Sequence, residues 1–187
     1  ALYDNETGWP VLRAALRQAK DNEGTAFLEL VDEYSARNTD GTYSNNETDA
    51  ELVIDCLDWH DSRSVAQIQI DAKEFSKRAP VFGPYFSYNS LTCKYFVPAA
   101  KDSNTRATNQ ITSINTAPIL IIGTTRDPAT PYDWAKSLQK TINGSRLISL
   151  DADGHTGQGR GSACVDEAVD TYLLEGKSPN KNLTCSL

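Results

Sequence analysis

Apolar residues recur at intervals of three and four along the first 79 positions. From position 118 the pattern changes to short unbroken apolar runs alternating with helical stripes. Leu12, Ala15, Leu16 and Ala19 follow Trp9-Pro10, and Phe27, Leu30, Val31 and Tyr34 follow Gly24. Thr48-x-x-Glu51 and Ser64-x-x-Gln67 have the form of capping boxes, leading into Leu52 and Cys56 and into Val65, Ile68, Ala72 and Phe75. Four short amphipathic helices are therefore predicted between residues 9 and 79, their apolar faces serving as core. Residues 80–98 mix Pro80, Gly83 and Pro84 with Phe82, Tyr85, Phe86, Tyr88, Tyr95 and Phe96, which predicts an irregular, packed segment. Those aromatics also suit the wall of a substrate cleft. Residues 99–115 are polar and read as a linker or surface loop.

Pro118 opens an apolar strand, Ile119–Ile122. A helix is predicted from about residue 130 to 140, with Trp134, Ala135 and Leu138 inward and Asn143-Gly144 closing it. Residues 146–150 form a second strand. Val165, Ala168, Val169, Tyr172 and Leu173 mark a final helix ended by Gly176. Strands joined by crossover helices make a parallel βαβ unit, an α/β arrangement whose sheet needs its faces and edges covered. Two strands are too few for a self-sufficient α/β domain, so further strands are expected upstream.

Composition narrows the partners. The 187 residues carry 18 Lys and Arg against 25 Asp and Glu, a net charge of −7. The scattered basic residues argue against a nucleic-acid surface, and no apolar run is long enough for a membrane span. Cys56, Cys93, Cys164 and Cys185 are widely spaced, a pattern that fits two disulfides in an oxidising compartment better than a metal site. No metal or cofactor is expected. Three connectivities are possible; the sequential one is favoured because each bond then closes a loop within one half of the chain. Sequons occur at Asn5, Asn46, Asn143 and Asn182. The start at Ala1, with no methionine and no signal segment, suggests a processed or trimmed piece.

The candidate chemistry lies after the two predicted strands, where functional groups gather in open α/β sheets. Asp127, in a loop fixed by Pro128 and Pro131, is placed to orient a histidine through its Nδ1. His155 stands in a glycine-rich loop with Gly154, Gly157, Gly159 and Gly161, and suits general acid–base work. Alternatives are a helix-capping Asp127 and a solvated His155. Asp151-x-Asp153-Gly154 has the opening of a calcium loop but lacks its further ligands. His60, between Trp59 and Asp61, has no strand-end context. Acid followed by histidine is the order of the last two members of a Ser-His-Asp triad on an α/β-hydrolase sheet. The Gly-x-Ser-x-Gly nucleophile turn is absent from the sequence, and neither Ser90 nor Ser162 sits in a strand–turn–helix elbow.

Gly123-Thr124-Thr125-Arg126-Asp127-Pro128-Ala129-Thr130-Pro131-Tyr132-Asp133-Trp134-Ala135, with Asp153-Gly154-His155-Thr156-x-x-Gly159-Arg160-Gly161-Ser162-Ala163-Cys164-Val165-Asp166, resembles the C-terminal region of the tripeptidyl aminopeptidase-like exported serine peptidases. These are bacterial α/β-hydrolases related to proline iminopeptidases. Leu173-Leu174-x-Gly176, Pro179 and Cys185 fit the family's ending. Trp9-Pro10, Asp40-Gly41-x-Tyr43-Ser44, Cys56 and Ala79-Pro80-x-Phe82-Gly83 resemble its lid more loosely. The resemblance implies a helical lid over residues 1–112 and β/α units of the hydrolase core over 113–187. It also implies Asp127 as triad acid, His155 as triad histidine, and the sequential disulfide pairing. A secreted or cell-surface location follows, with a peptide bearing a free amino terminus as substrate. Glu47, Asp49, Asp55 or Asp58 would bind the substrate amine. The nucleophile and oxyanion hole would come from an upstream half, or the exposed sheet edge would self-associate. An esterase-type hydrolase and a non-catalytic peptide-binding module are the competing expectations.

Overall fold

The computed structural model describes residues 1–58, 63–96 and 118–187, which places His60 and the polar stretch 99–115 outside the described residues. The chain divides into two compact units. One, the sheet unit, combines Ala1–Val31 with Ala107–Leu187; the other, the helical unit, is Asp32–Arg106. The division expected at 112/113 falls outside the described residues. The N-terminal 31 residues group with the β/α units rather than with the other helices.

The four expected helices are α1 (Gly8–Lys20), α2 (Thr25–Tyr34), α3 (Glu47–Asp58) and α4 (Val65–Arg78). Ser64 caps α4 as its box predicts, its hydroxyl accepting the Gln67 amide at 3.1 Å. The other box is displaced: α3 starts at Glu47, and the Asn45 side chain accepts that residue's amide at 3.1 Å, leaving Thr48 inside the helix. The aromatic segment is helical rather than irregular, forming α5 (Gly83–Tyr88) and α6 (Ser90–Phe96). Pro84 lies in the first turn of α5, where a missing N–H costs nothing. Val81, Phe82, Tyr85 and Phe86 are exposed, so this segment is not the packed one expected. A disulfide joins Cys56 of α3 to Cys93 of α6.

In the sheet unit, β1 (Leu120–Arg126), α7 (Tyr132–Thr141), β2 (Arg146–Asp153), α8 (Ala163–Glu175) and β3 (Leu183–Ser186) form a three-stranded parallel sheet in the order β1-β2-β3. Both predicted strands are present, and β1 runs four residues further than predicted, to Arg126. Asp127 therefore follows the strand end directly. β3 is an additional strand, tied to α8 by the Cys164–Cys185 disulfide and by the Ser162 hydroxyl, which donates to the Ser186 carbonyl at 2.6 Å.

Ile148, Leu150, Ala152, Val165, Val169 and Cys185 form the buried cluster of this unit. Fully burying each larger aliphatic is worth about 1.5–3 kcal/mol. On α7 the inward face is Tyr132, Ala135 and Gln139, whereas Trp134 and Leu138 are exposed, contrary to the predicted face. Gly123 explains the choice. A Cβ there would stand 2.7 Å from Ala135 Cβ and 2.9 Å from the Tyr132 ring, so the helix approaches β1 through a glycine notch. Tyr132 fixes that approach through a 2.5 Å hydroxyl contact with Ser149. α8 ends at Gly176 in a left-handed cap, φ +67°, and its stripe is narrower than predicted because Leu173 is exposed.

Candidate active site

The pairing of β1 with β2 sets the site. Thr124 pairs with Leu150, but Arg126 pairs with Asp153, so β2 carries one more residue than β1 over this step. Continuing the shifted register sets Asp127 opposite Gly154 and beside His155. The Arg126 guanidinium donates to Asp151 at 2.6 Å and to Asp153; its hydrogen bond to Asp151, together with that from the Thr125 hydroxyl, lowers the Asp151 carboxyl below its usual range. The two aspartates of the calcium-like segment thus fasten the strand ends.

Asp127 is buried, its side chain 3% exposed. Its Oδ1 accepts the amides of Ala129 and Thr130, each at 2.8 Å, and its Oδ2 accepts the Thr130 hydroxyl at 2.9 Å. The capping hydrogen bonds coexist with a histidine contact, because the same carboxylate meets His155 Nδ1 at 2.9 Å through Oδ2 and 3.1 Å through Oδ1. Burial pushes its pKa up, but the Thr130 and Ala129 amides, His155 and the Thr130 hydroxyl outweigh that and hold it at about 2. A carboxylate acceptor at Nδ1 favours the imidazole tautomer that carries its proton there, with Nε2 as the nitrogen left with a lone pair.

The loop carrying His155 is shaped by backbone that few residues adopt. Thr156 has φ +68°, unusual for a β-branched side chain. Its carbonyl accepts the buried Thr124 hydroxyl at 2.7 Å and its amide points to Asp127 Oδ2 at 3.3 Å, so the strained residue is held on both sides. Gly157 must lack a Cβ, which would come within 2.6 Å of Ile122.

Asp127 and His155 are thus brought together. Ser162 is buried and its hydroxyl is committed to Ser186. Glu47, Asp49 and Asp55 are exposed on α3, in the helical unit. Sequence reasoning gave no role at the site to Thr124, Thr130, Thr156, Tyr3 or Arg160. For Thr130 a signal existed, since Asp-x-x-Thr is the spacing at which an aspartate closes a local turn. The Tyr3–Arg160 contact spans 157 positions and leaves none.

Residues 79–185 match the family described as TAP-like protein. The chain belongs to this family. It is 32% identical to the serine protease Hip1 of Mycobacterium tuberculosis over 192 residues, covering 99% of this chain and 35% of that protein. It is 29% identical over 195 residues to carboxylesterase B of the same species, covering all of this chain and 35% of that one. The tripeptidyl aminopeptidase of Streptomyces lividans is 43% identical over 70 residues, 37% of this chain and 13% of the enzyme. The TAP-like chain described above thus spans about a third of the length of the relatives it matches end to end. Its partial α/β-hydrolase sheet fits that membership.

Proposed function

We propose that this chain supplies the acid and the histidine of a serine hydrolase, an aminopeptidase that releases short peptides from free amino termini. The carrying observation is the buried, ionised Asp127 against His155 Nδ1 at the carboxyl ends of adjacent parallel strands. In this reading Asp127 orients the ring and stabilises the imidazolium. His155 takes a proton from a serine hydroxyl through Nε2 and returns it to the leaving amine. The serine and the oxyanion donors come from sequence upstream of these 187 residues. Tripeptide release is supported by the name of the Streptomyces relative, and a serine nucleophile by that of Hip1. The two disulfides support an extracytoplasmic site of action.

Fluorophosphonate labelling read by intact mass tests the division of labour. The isolated chain should acquire no adduct, and the upstream half should acquire one when the two are combined. An adduct on a serine of this chain would overturn the proposal. Carboxylesterase B, matched across the whole chain, supports a second reading as an esterase. Comparing tripeptidyl amides with short-chain esters on the full-length protein separates the two.

A further inference from the structure

Arg160 follows the histidine by five positions, and among the described residues its hydrogen-bond acceptors are three carbonyls and one side-chain amide. Its Nη1 donates to the carbonyls of His155, at 2.8 Å, and Tyr3, at 3.1 Å. Its Nη2 donates to the Asp153 carbonyl at 3.1 Å and to Asn5 Oδ1 at 2.8 Å. A half-buried guanidinium is thus committed to the backbone of the histidine loop and to the stretch ahead of α1.

That stretch is itself shaped to meet the loop. Asp4 Oδ1 accepts the amides of Glu6 and Thr7 at 2.7 and 3.0 Å, and Trp9 Nε1 donates to the Leu2 carbonyl at 3.1 Å. The resulting turn sets the Tyr3 carbonyl where the His155 amide donates to it at 2.8 Å. The Tyr3 ring lies against the imidazole, centroids 4.8 Å apart and planes 40° from parallel. Gly154, φ +101°, makes room: a Cβ there would stand 2.6 Å from Arg160 Nη2 and 2.8 Å from the Tyr3 carbonyl.

We infer that Arg160 is a positioning residue, clamping the 153–160 loop to the Tyr3 segment so that the imidazole stays seated between Asp127 and the Tyr3 ring. The inference rests on reading Asp127 and His155 as the acid–base pair. A planar fork with five fixed donors can serve four acceptors in two chain segments at once; an ammonium has three donors at a single point. Because displacing a reacting group by roughly 1 Å can cost about 10²-fold in rate, a loosened clamp should register in turnover before it registers in binding.

The test compares Arg160→Gln, Arg160→Lys and Asn5→Ala in the full-length protein carrying this chain. It follows kcat and KM on a tripeptidyl amide and the low-field proton signal of His155 Nδ1–H. Arg160→Gln should lower kcat by about 10–100-fold with KM changed less than about threefold, and should broaden or shift the Nδ1–H signal. Arg160→Lys should recover part of both. Asn5→Ala, which removes one acceptor of four, should cost kcat about two- to fivefold and covers the case in which Arg160→Gln does not fold. An unchanged signal and kcat in a folded Arg160→Gln protein would overturn the inference, as would a fall in kcat with the His155 signal untouched. If the signal moves while His155→Ala leaves hydrolysis intact, the clamp stands and the acid–base reading falls instead.

Discussion

The two units use their apolar residues differently. In the sheet unit Ile148, Leu150 and Val165 are wholly buried and belong to one cluster drawn from β2, α8 and β3. In the helical unit Ile68 is wholly buried, yet Ile70, Phe75, Tyr85 and Phe86 of the same and neighbouring helices lie exposed. A covalent bond, Cys56–Cys93, joins α3 and α6 there, with the two cysteines 37 positions apart. A parallel sheet with crossover helices buries its strands on both faces and so defines its own core. Short amphipathic helices define a core only where a partner surface meets their stripe, so a similar content of apolar side chains yields less internal cohesion.

The contrast can be pressed hardest at the acid. On the proposed acid–base reading, Asp127→Asn should reduce kcat of the full-length protein by about 10⁴-fold, because an amide at Nδ1 no longer selects the productive tautomer. Steady-state assay with the fold checked by circular dichroism would show it. Removing the helical unit's disulfide with Cys56→Ser and Cys93→Ser should cost about 4 kcal/mol by the loop-entropy relation, and Cys164→Ser with Cys185→Ser about 3. Amide hydrogen exchange should show the first pair releasing α3 and α6 while β1 and β2 stay protected. Ile148→Ala should destabilise the sheet unit by about 3 kcal/mol, read as a lower denaturant midpoint.

Acid should distinguish the units more gently. The Asp127 carboxyl is held at about 2, below its usual value, so the stability it contributes is present above the unfolded pKa of 3.8 and is lost as pH falls through about 2. The loss amounts to about 2 kcal/mol, confined to the sheet unit and absent from Asp127→Asn; urea midpoints on both sides of that window would measure it. Smallest of all, Phe86→Ser in the helical unit should change stability by less than about 0.5 kcal/mol, since the ring is two-thirds exposed.

Periodicity made the helices α1 to α4 and the strands β1 and β2 legible, and the order of Asp127 and His155 made the pair legible. Which face of α7 turns inward was not, because the decision lies with Gly123 on another element: the notch admits Ala135 and leaves Trp134 outside. β3 was hidden for a related reason. Leu183–Ser186 is only four residues long, with Cys185 alone fully inward, so its strand character comes from pairing with β2 rather than from alternation. Tyr3 reaches the histidine loop from the far end of the chain to meet Arg160, beyond any local pattern.

The single extra residue of β2 between Leu150 and Asp153 gives the site an arithmetic character. Side chains along both strands can be exchanged without altering which backbone positions face each other, so substitutions can drift while Asp127 and His155 remain neighbours. A one-residue deletion in that step would slide the histidine loop by a full position and turn alternate side chains to the other face of the sheet. Within this family, the step between positions 150 and 153 should therefore resist changes of length.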